Sequence, residues 1–348
     1  MIAHACTASL THPPARQAPV LPSVAFVACL EAGPMETQVR WLLESLRRWG
    51  GTLAEAEFFA VTPRRGLPLA DDTERALDRL RARTLRFPAP HAYGWWGPMN
   101  KPAALAAAEQ ETDADVIVWL DSDTLVLGEP LEVALEAGID FAAHPASRVL
   151  DIGTDGEDGH EAYWRTVLAA HGIHPDRYSW IPGSRQEGGR MRMYWQSGVF
   201  AYRRATRLGR IMLDRSVRQM EARIASRDSG IYFHEQTALG IAVHAERLRH
   251  AILGENHNRP LNKLVPAGEN DWPVAETRIL HYFGSAWPDA FPWMVSSLEA
   301  GRPDVAAWLR EQGPLRDGSA RWQRILARLW RQQRSAAARR FSRTCAVS

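Results

Sequence analysis

Residues Asp115 to Asp123, DVIVWLDSD, decide how this chain is read. Val116 to Leu120 are apolar without alternation, the pattern of a central parallel strand covered by helices on both faces. Two carboxylates follow at once, Asp121 and Asp123, on either side of Ser122. Open α/β sheets bind ligands in the crevice outside the carboxyl ends of their strands, so both acids stand at a binding position. If the strand continues they share one side, and in a turn they converge on one ion. A hard divalent cation, Mg²⁺ or Mn²⁺, takes such oxygen ligands together with phosphate oxygens of a substrate. Acids at strand ends are also common as turn formers and helix caps, and the triplet alone leaves both readings open.

The flanks extend the same pattern. Ser23 to Leu30 (SVAFVACL) reads as a buried strand, followed by a helix from Met35 to Trp49 with Val39, Leu42, Leu43 and Leu46 on one face. Glu57 to Val61 reads as a second strand, Asp71 to Arg83 as a helix opened by acids, and Thr84 to Phe87 as a short third strand. An aromatic, Gly-rich loop (Tyr93, Gly94, Trp95, Trp96, Gly97) leads to a helix from Pro102 to Glu111, preceded by Asn100 and Lys101. The β-α-β-α-β order predicts an α/β fold with right-handed crossovers and a mostly parallel sheet flanked by helices. Downstream the pattern is more irregular: strands at Asp140 to Ala143 and Val199 to Tyr202, helices at Gly159 to His171, Arg207 to Ile224 and Glu235 to Arg247.

A chain of 348 residues that is 45% hydrophobic and 24% charged is an ordinary globular protein, which excludes collagen, a wholly disordered chain and a disulfide scaffold. Its three cysteines, Cys6, Cys29 and Cys345, have no metal-type spacing and suit a reducing compartment, so a cytoplasmic location is expected, with peripheral contact at the inner membrane face as an option. No apolar run reaches the roughly 18 residues of a membrane-spanning helix. Residues 1–22 lack a basic start followed by an apolar stretch and read as a disordered leader. Residues 23–315 are expected to form one two-lobed domain, with lobes at 23–130 and 131–315, ahead of a basic tail at 316–348. The formal net charge is +2, but the tail holds nine arginines against Asp317, so the rest is net negative and unsuited to general nucleic-acid binding.

Three further segments follow the acids: Gln196-Ser197-Gly198-Val199-Phe200, Glu235-Gln236-Thr237-Ala238-Leu239, and Ile279-Leu280-His281-Tyr282-Phe283-Gly284. With them, Ser23 to Trp293 resembles the GT-A glycosyltransferases, especially the family 8-like group of glycogenin and bacterial lipopolysaccharide galactosyltransferases. The resemblance implies a Rossmann-like GT-A domain with a smaller irregular acceptor-side lobe, which moves a sugar from a nucleotide-diphosphate donor, UDP- or GDP-linked, to a glycan, glycolipid or protein. It implies that Asp121, Asp123 and His281 hold Mn²⁺ (or Mg²⁺) and that Ser122 lies beside the donor. It also implies that the first strand and its loop, Ala28 to Glu31 with Leu30 included, hold the base, while Gln196, Ser197, Gly198 and Gly284 line the donor pocket. An imidazole with two carboxylates suits Mn²⁺ better than Ca²⁺, and such an ion offsets charge growing on a departing nucleoside diphosphate.

The chain departs from the family in three places: Gln196 stands for Asn, Glu235 for the Asp before Gln236, and Trp287 for a phosphate-binding lysine. Lys101, one of only two lysines with Lys263, is the candidate replacement. By resemblance Gln236 faces the reacting sugar, where its carbonyl supports a configuration-retaining transfer. Glu235 offers the alternative of a general base in an inverting one, or is a plain helix N-terminal acid. Loop aromatics Tyr93, Trp95, Trp96, Trp180, Trp195, Trp287 and Trp293 are either packing residues or an acceptor platform.

In the tail, Arg321 to Arg334 puts Trp322, Ile325, Leu326, Leu329 and Trp330 on one stripe opposite arginines, which fits either an anionic membrane surface or a helix docked on the acidic body. Two other functions compete. One is a non-catalytic GT-A-like binding protein. The other is a haloacid dehalogenase-type phosphatase, whose signature needs another residue before the threonine and generally begins its domain.

Overall fold

The computed structural model describes residues 21–89, 91–184, 187–262 and 273–348. Lys263 and nearly all of the expected leader lie outside the described residues. The main sheet has seven strands, in the order His250–Ile252, Phe141–Pro145, Trp195–Arg203, Val116–Leu120, Val24–Cys29, Glu57–Thr62, Arg83–Arg86. All run parallel except Trp195–Arg203, which is antiparallel to both of its neighbours. That strand arrives after a long connection that holds helix Glu161–Ala170 and the antiparallel pair Trp180–Pro182 and Arg190–Arg192 rather than one simple crossover helix, so nothing enforces the parallel sense there.

The apolar runs are buried on both faces, as their lack of alternation predicts. In the first strand Val24, Phe26 and Ala28 join one core with Val39, Leu42, Leu43 and Leu46 of helix Pro34–Trp49. Ala25, Val27 and Cys29 join the opposite core with Ala104, Leu105 and Ala108 of helix Asn100–Glu111, and with Leu208 and Met212 of helix Leu208–Glu221. Each fully buried Val, Leu, Ile or Phe contributes about 1.5 to 3 kcal/mol to such a core. The helix expected to reach Arg83 ends at Arg79, because Arg81 takes a left-handed conformation and Arg83 already pairs with Phe59.

A small second sheet matters more for function. Thr124–Val126, just past the acid pair, runs antiparallel to Ile279–His281, which also pairs with Arg259–Pro260. Helices Phe291–Glu299 and Pro303–Gln312 close over it through a core that includes Trp41, Leu125, Leu280, Tyr282 and Trp308.

The tail forms one helix, Arg321–Ser342, docked by one side. Gln323 donates to the carbonyl of Pro68 at 3.4 Å, and Phe341 packs against Tyr93 and Trp95 with ring centroids 5.9 and 5.3 Å away. The terminal strand Ala346–Val347 then pairs with Ile224–Ala225. The expected stripe is split: Trp330 is half-buried, while Trp322, Ile325, Leu326 and Leu329 face outward. Among the described residues no helix is long and apolar enough to cross a membrane.

Candidate active site

Backbone pairing assembles the site. The antiparallel register sets His281 opposite Thr124, and the Tyr282 amide donates to the Asp123 carbonyl at 3.0 Å. The imidazole therefore lies over the turn that carries the acids, with Nε2 at 3.2 Å from Asp123 Oδ1. One ligand atom each from Asp121, Asp123 and His281 lies within 4.8 Å of the other two. On the other flank the Asp121 amide donates to the Gly198 carbonyl at 2.8 Å, where the reversed strand passes the end of Val116–Leu120.

The donor set fits a divalent cation. His281 Nδ1 is 3.1 Å from Asn258 Oδ1; with Nδ1–H donating to that amide oxygen, Nε2 would be the atom that ligates a cation in place of the proton it shares with Asp123. Phe283 stacks on the ring at 3.9 Å, and Gly198 leaves the space the ring fills: a Cβ there would lie 2.8 Å from Cε1 and Nδ1. Burial disfavours charge on both partners, yet their mutual contact prevails, holding the Asp123 carboxyl below its ordinary range and the His281 imidazole above. A cation held by these groups supplies the positive charge that the carboxylates otherwise draw from a proton on His281.

A buried polar knot stands behind the acids. Lys101 Nζ donates to the Ser197 carbonyl at 2.7 Å and hydroxyl at 2.8 Å, and lies 3.2 Å from Asp121 Oδ1 and 3.3 Å from Glu235 Oε1. Burial opposes the ammonium, but the two carboxylates outweigh it and raise the Lys101 pKa. Trp119 Nε1 donates to Asp121 Oδ1 at 2.7 Å, which fixes that carboxylate further. Glu235 opens helix His234–Ala245, and burial raises its pKa. The Ser197 hydroxyl reaches Glu235 Oε1 at 3.0 Å and Gln236 Oε1 at 3.3 Å.

The remaining expected residues divide. Ser122 lies on the acid turn, 3.5 Å from Gln38 Oε1. Ala28 and Leu30 place their side chains in the core beneath the crevice, so only their backbone is available to a ligand. Gln196 donates to Asp151 Oδ2 at 2.9 Å, Gly284 lies in the turn after Phe283, and Trp287 is exposed. Trp96 and Trp195 are core residues, and Tyr93 and Trp95 hold the tail, so these four form no open platform.

Three groups, Asn258, Asp151 and Tyr232, were not singled out from the sequence, and a fourth, Glu31, was reached only as the end of the base-holding loop. Asn258 orients His281. Asp151 is half-buried beside a cavity of about 510 Å³ that reaches His281, Gln196 and Phe283, and desolvation pushes its pKa up to about 6. Tyr232 has an exposed ring within the electrostatic reach of Lys101, Glu235, Asp121 and Asp123. Glu31 accepts from Asn100 Nδ2 at 2.7 Å and pairs with Arg64. None stands in a periodic apolar pattern or near the acid triplet in sequence, the two signals that were available.

Comparison with known proteins places this geometry in context. A family model described as the Rhodobacterales glycosyltransferase domain matches residues 26–247, a stretch that holds both aspartates, Lys101, Ser197, Glu235 and Gln236 but not His281. No curated protein matches the chain. Among solved structures, the apo WbbM bifunctional glycosyltransferase is similar at a TM-score of 0.47 and 14% identity; the alignment covers 84% of this chain and 53% of that one.

Proposed function

Because the chain belongs to the Rhodobacterales glycosyltransferase domain family, we propose that it is a metal-dependent enzyme that moves a sugar from a UDP- or GDP-linked donor to a glycan, glycolipid or protein acceptor. The observation that carries this reading is the convergence of Asp121, Asp123 and His281 on one point at the carboxyl end of the central strand. These three would hold Mn²⁺ or Mg²⁺, which when bound neutralises charge on the donor diphosphate. The chain's own groups orient the rest. Asn258 fixes the imidazole tautomer, Lys101 and Trp119 fix Asp121, and Phe283 covers the ring.

Gln236 is our candidate for the sugar-facing residue in a retaining transfer. Its neighbour Glu235 is enclosed: Oε1 meets both Lys101 and Ser197, Oε2 is buried without a hydrogen-bond partner among the described residues, and the side chain is only 10% exposed. A base must reach the acceptor hydroxyl, and this carboxylate is turned into the protein, which favours a role in positioning Lys101 over inversion. The outward apolar residues of the tail helix, flanked by Arg321, Arg324, Arg328 and Arg331, support peripheral contact with an anionic membrane. The phosphatase alternative does not fit acids that follow the central strand of a sheet already three strands into the chain.

A donor screen tests the proposal. Sugar release from UDP- and GDP-linked donors should require Mn²⁺ or Mg²⁺ and disappear in Asp123→Ala with the melting temperature preserved. Turnover persisting in that variant refutes the metal assignment.

A further inference from the structure

Lys101, the expected substitute for the lysine missing at Trp287, has no donor left for a ligand. An ammonium has three N–H groups. Those of Lys101 face the Ser197 carbonyl and hydroxyl and the carboxylates of Asp121 and Glu235. It anchors Asp121. Any side-chain positive charge for the phosphates of a donor, beyond that of the metal, has to come from another group.

The tail supplies a candidate. Glu31, just past the first strand, pairs with Arg64 from the loop after the second, Nη2 to Oε2 at 2.7 Å. Arg334 of the tail helix approaches the same Oε2 to 3.8 Å through Nη1, while its Nη2 donates to the Arg65 carbonyl at 3.2 Å. Two guanidinium groups thus share one carboxylate, and one positive charge has no counterpart within the cluster. Both side chains are largely covered, 14% exposed for Arg64 and 24% for Arg334. Burial and the neighbouring Arg64 depress the Arg334 pKa, as expected of a cation short of anions.

Position points the same way. The cluster lies where parallel strands end, the usual ligand crevice of such sheets. It also adjoins the acid site: Glu31 Oε1 accepts from Asn100, and the next residue, Lys101, contacts Asp121. A cavity of about 440 Å³ opens beside it, lined by Arg64, Arg65, His91, Trp95 and Arg334 among others. The helix that brings Arg334 is fixed at its far end by Phe341 and by the pairing of Ala346–Val347 with Ile224–Ala225.

We propose that the C-terminal helix is the outer wall of the donor site, and that Arg334, with Arg64, binds the phosphate charge of the nucleotide in place of the absent lysine. This rests on the glycosyltransferase reading above. The tail thereby has two working sides, one toward the donor and one outward. Guanidinium–phosphate contacts are charge-assisted and two-pronged, a geometry a lysine reproduces only in part.

The test is calorimetric titration of full-length protein with UDP and with GDP in saturating Mn²⁺, comparing wild type with Arg334→Ala, Arg334→Lys and Arg331→Ala. Arg331 is exposed on the same helix, so its loss removes equal charge without the contact. Arg334→Ala is expected to weaken the tighter nucleotide about tenfold or more. Arg334→Lys should bind with intermediate affinity, and Arg331→Ala should stay within about twofold of wild type on the same basis. If Arg334→Ala, or Arg334→Lys should Ala fail to fold, binds like wild type, the wall proposal is overturned. Mn²⁺-dependent binding by wild type would in that case leave the glycosyltransferase reading standing. If wild type binds neither nucleotide with Mn²⁺, both readings fall together.

Discussion

Replacing Gly198 with alanine perturbs the proposed metal site through a single methyl group. The backbone of Gly198 is not in the left-handed region, so alanine meets no conformational penalty there. The added Cβ would lie 2.8 Å from His281 Cε1 and Nδ1 and 3.3 Å from Asn258 Oδ1. Ordinary carbon contacts are about 3.5 to 4.0 Å, so the ring must retreat by roughly 0.8 Å. Metal–ligand distances tolerate only about 0.2 Å, and disturbing the groups that orient a ligand typically costs about 10- to 100-fold in metal affinity. Gly198→Ala should therefore weaken Mn²⁺ by about that factor, while the overpacking costs about 1 to 3 kcal/mol of stability. Mn²⁺ titration followed by electron paramagnetic resonance reads the first, and urea unfolding the second. Unchanged Mn²⁺ affinity in a folded variant would refute the argument that His281 is a ligand held in place by this glycine.

Three other outcomes are expected. Lys101→Met leaves Glu235 buried without its cation and should cost about 3 to 5 kcal/mol in chemical denaturation, most of it recovered by adding Glu235→Gln. Asp151 has its folded pKa raised to about 6, so the folded state binds the extra proton between the ordinary aspartate range and that value. Stability should consequently fall as pH rises through this window, and Asp151→Asn should flatten the fall and stabilise the protein at pH 7.5 by up to about 3 kcal/mol. In liposome sedimentation, Leu326→Glu with Leu329→Glu should release the protein from vesicles rich in anionic lipid without altering turnover of a soluble acceptor; equal sedimentation of variant and wild type counts against the membrane face.

The parts of this protein that were legible in its sequence are those specified locally. Val116 to Leu120 announce a doubly covered strand because every residue is apolar, and Asp121 and Asp123 inherit their position from it. His281 was reachable only through resemblance, since what brings it to Asp123 is an antiparallel pairing between segments remote in sequence. Asn258 and Asp151 were silent for the same reason: a polar residue in an irregular segment has no period to betray its partner. The reversed sense of Trp195–Arg203 follows from a long connection of mixed elements, which carries no signal of direction. In the tail the amphipathic period was plain, but the docked side proved to be the one with Gln323, Arg334 and Phe341, where single hydrogen bonds and one ring fix the helix rather than its leucines. Trp96 and Trp195 show the limit from the other direction, loop-like in sequence and core in the fold.

The most direct test of the central claim is an anomalous-scattering map at the manganese edge, from crystals of the protein grown with Mn²⁺ and a nucleoside diphosphate. One peak within bonding distance of His281 Nε2 and of carboxylate oxygens from Asp121 and Asp123 is the predicted result. A peak elsewhere, or none at that position with nucleotide bound, contradicts the account.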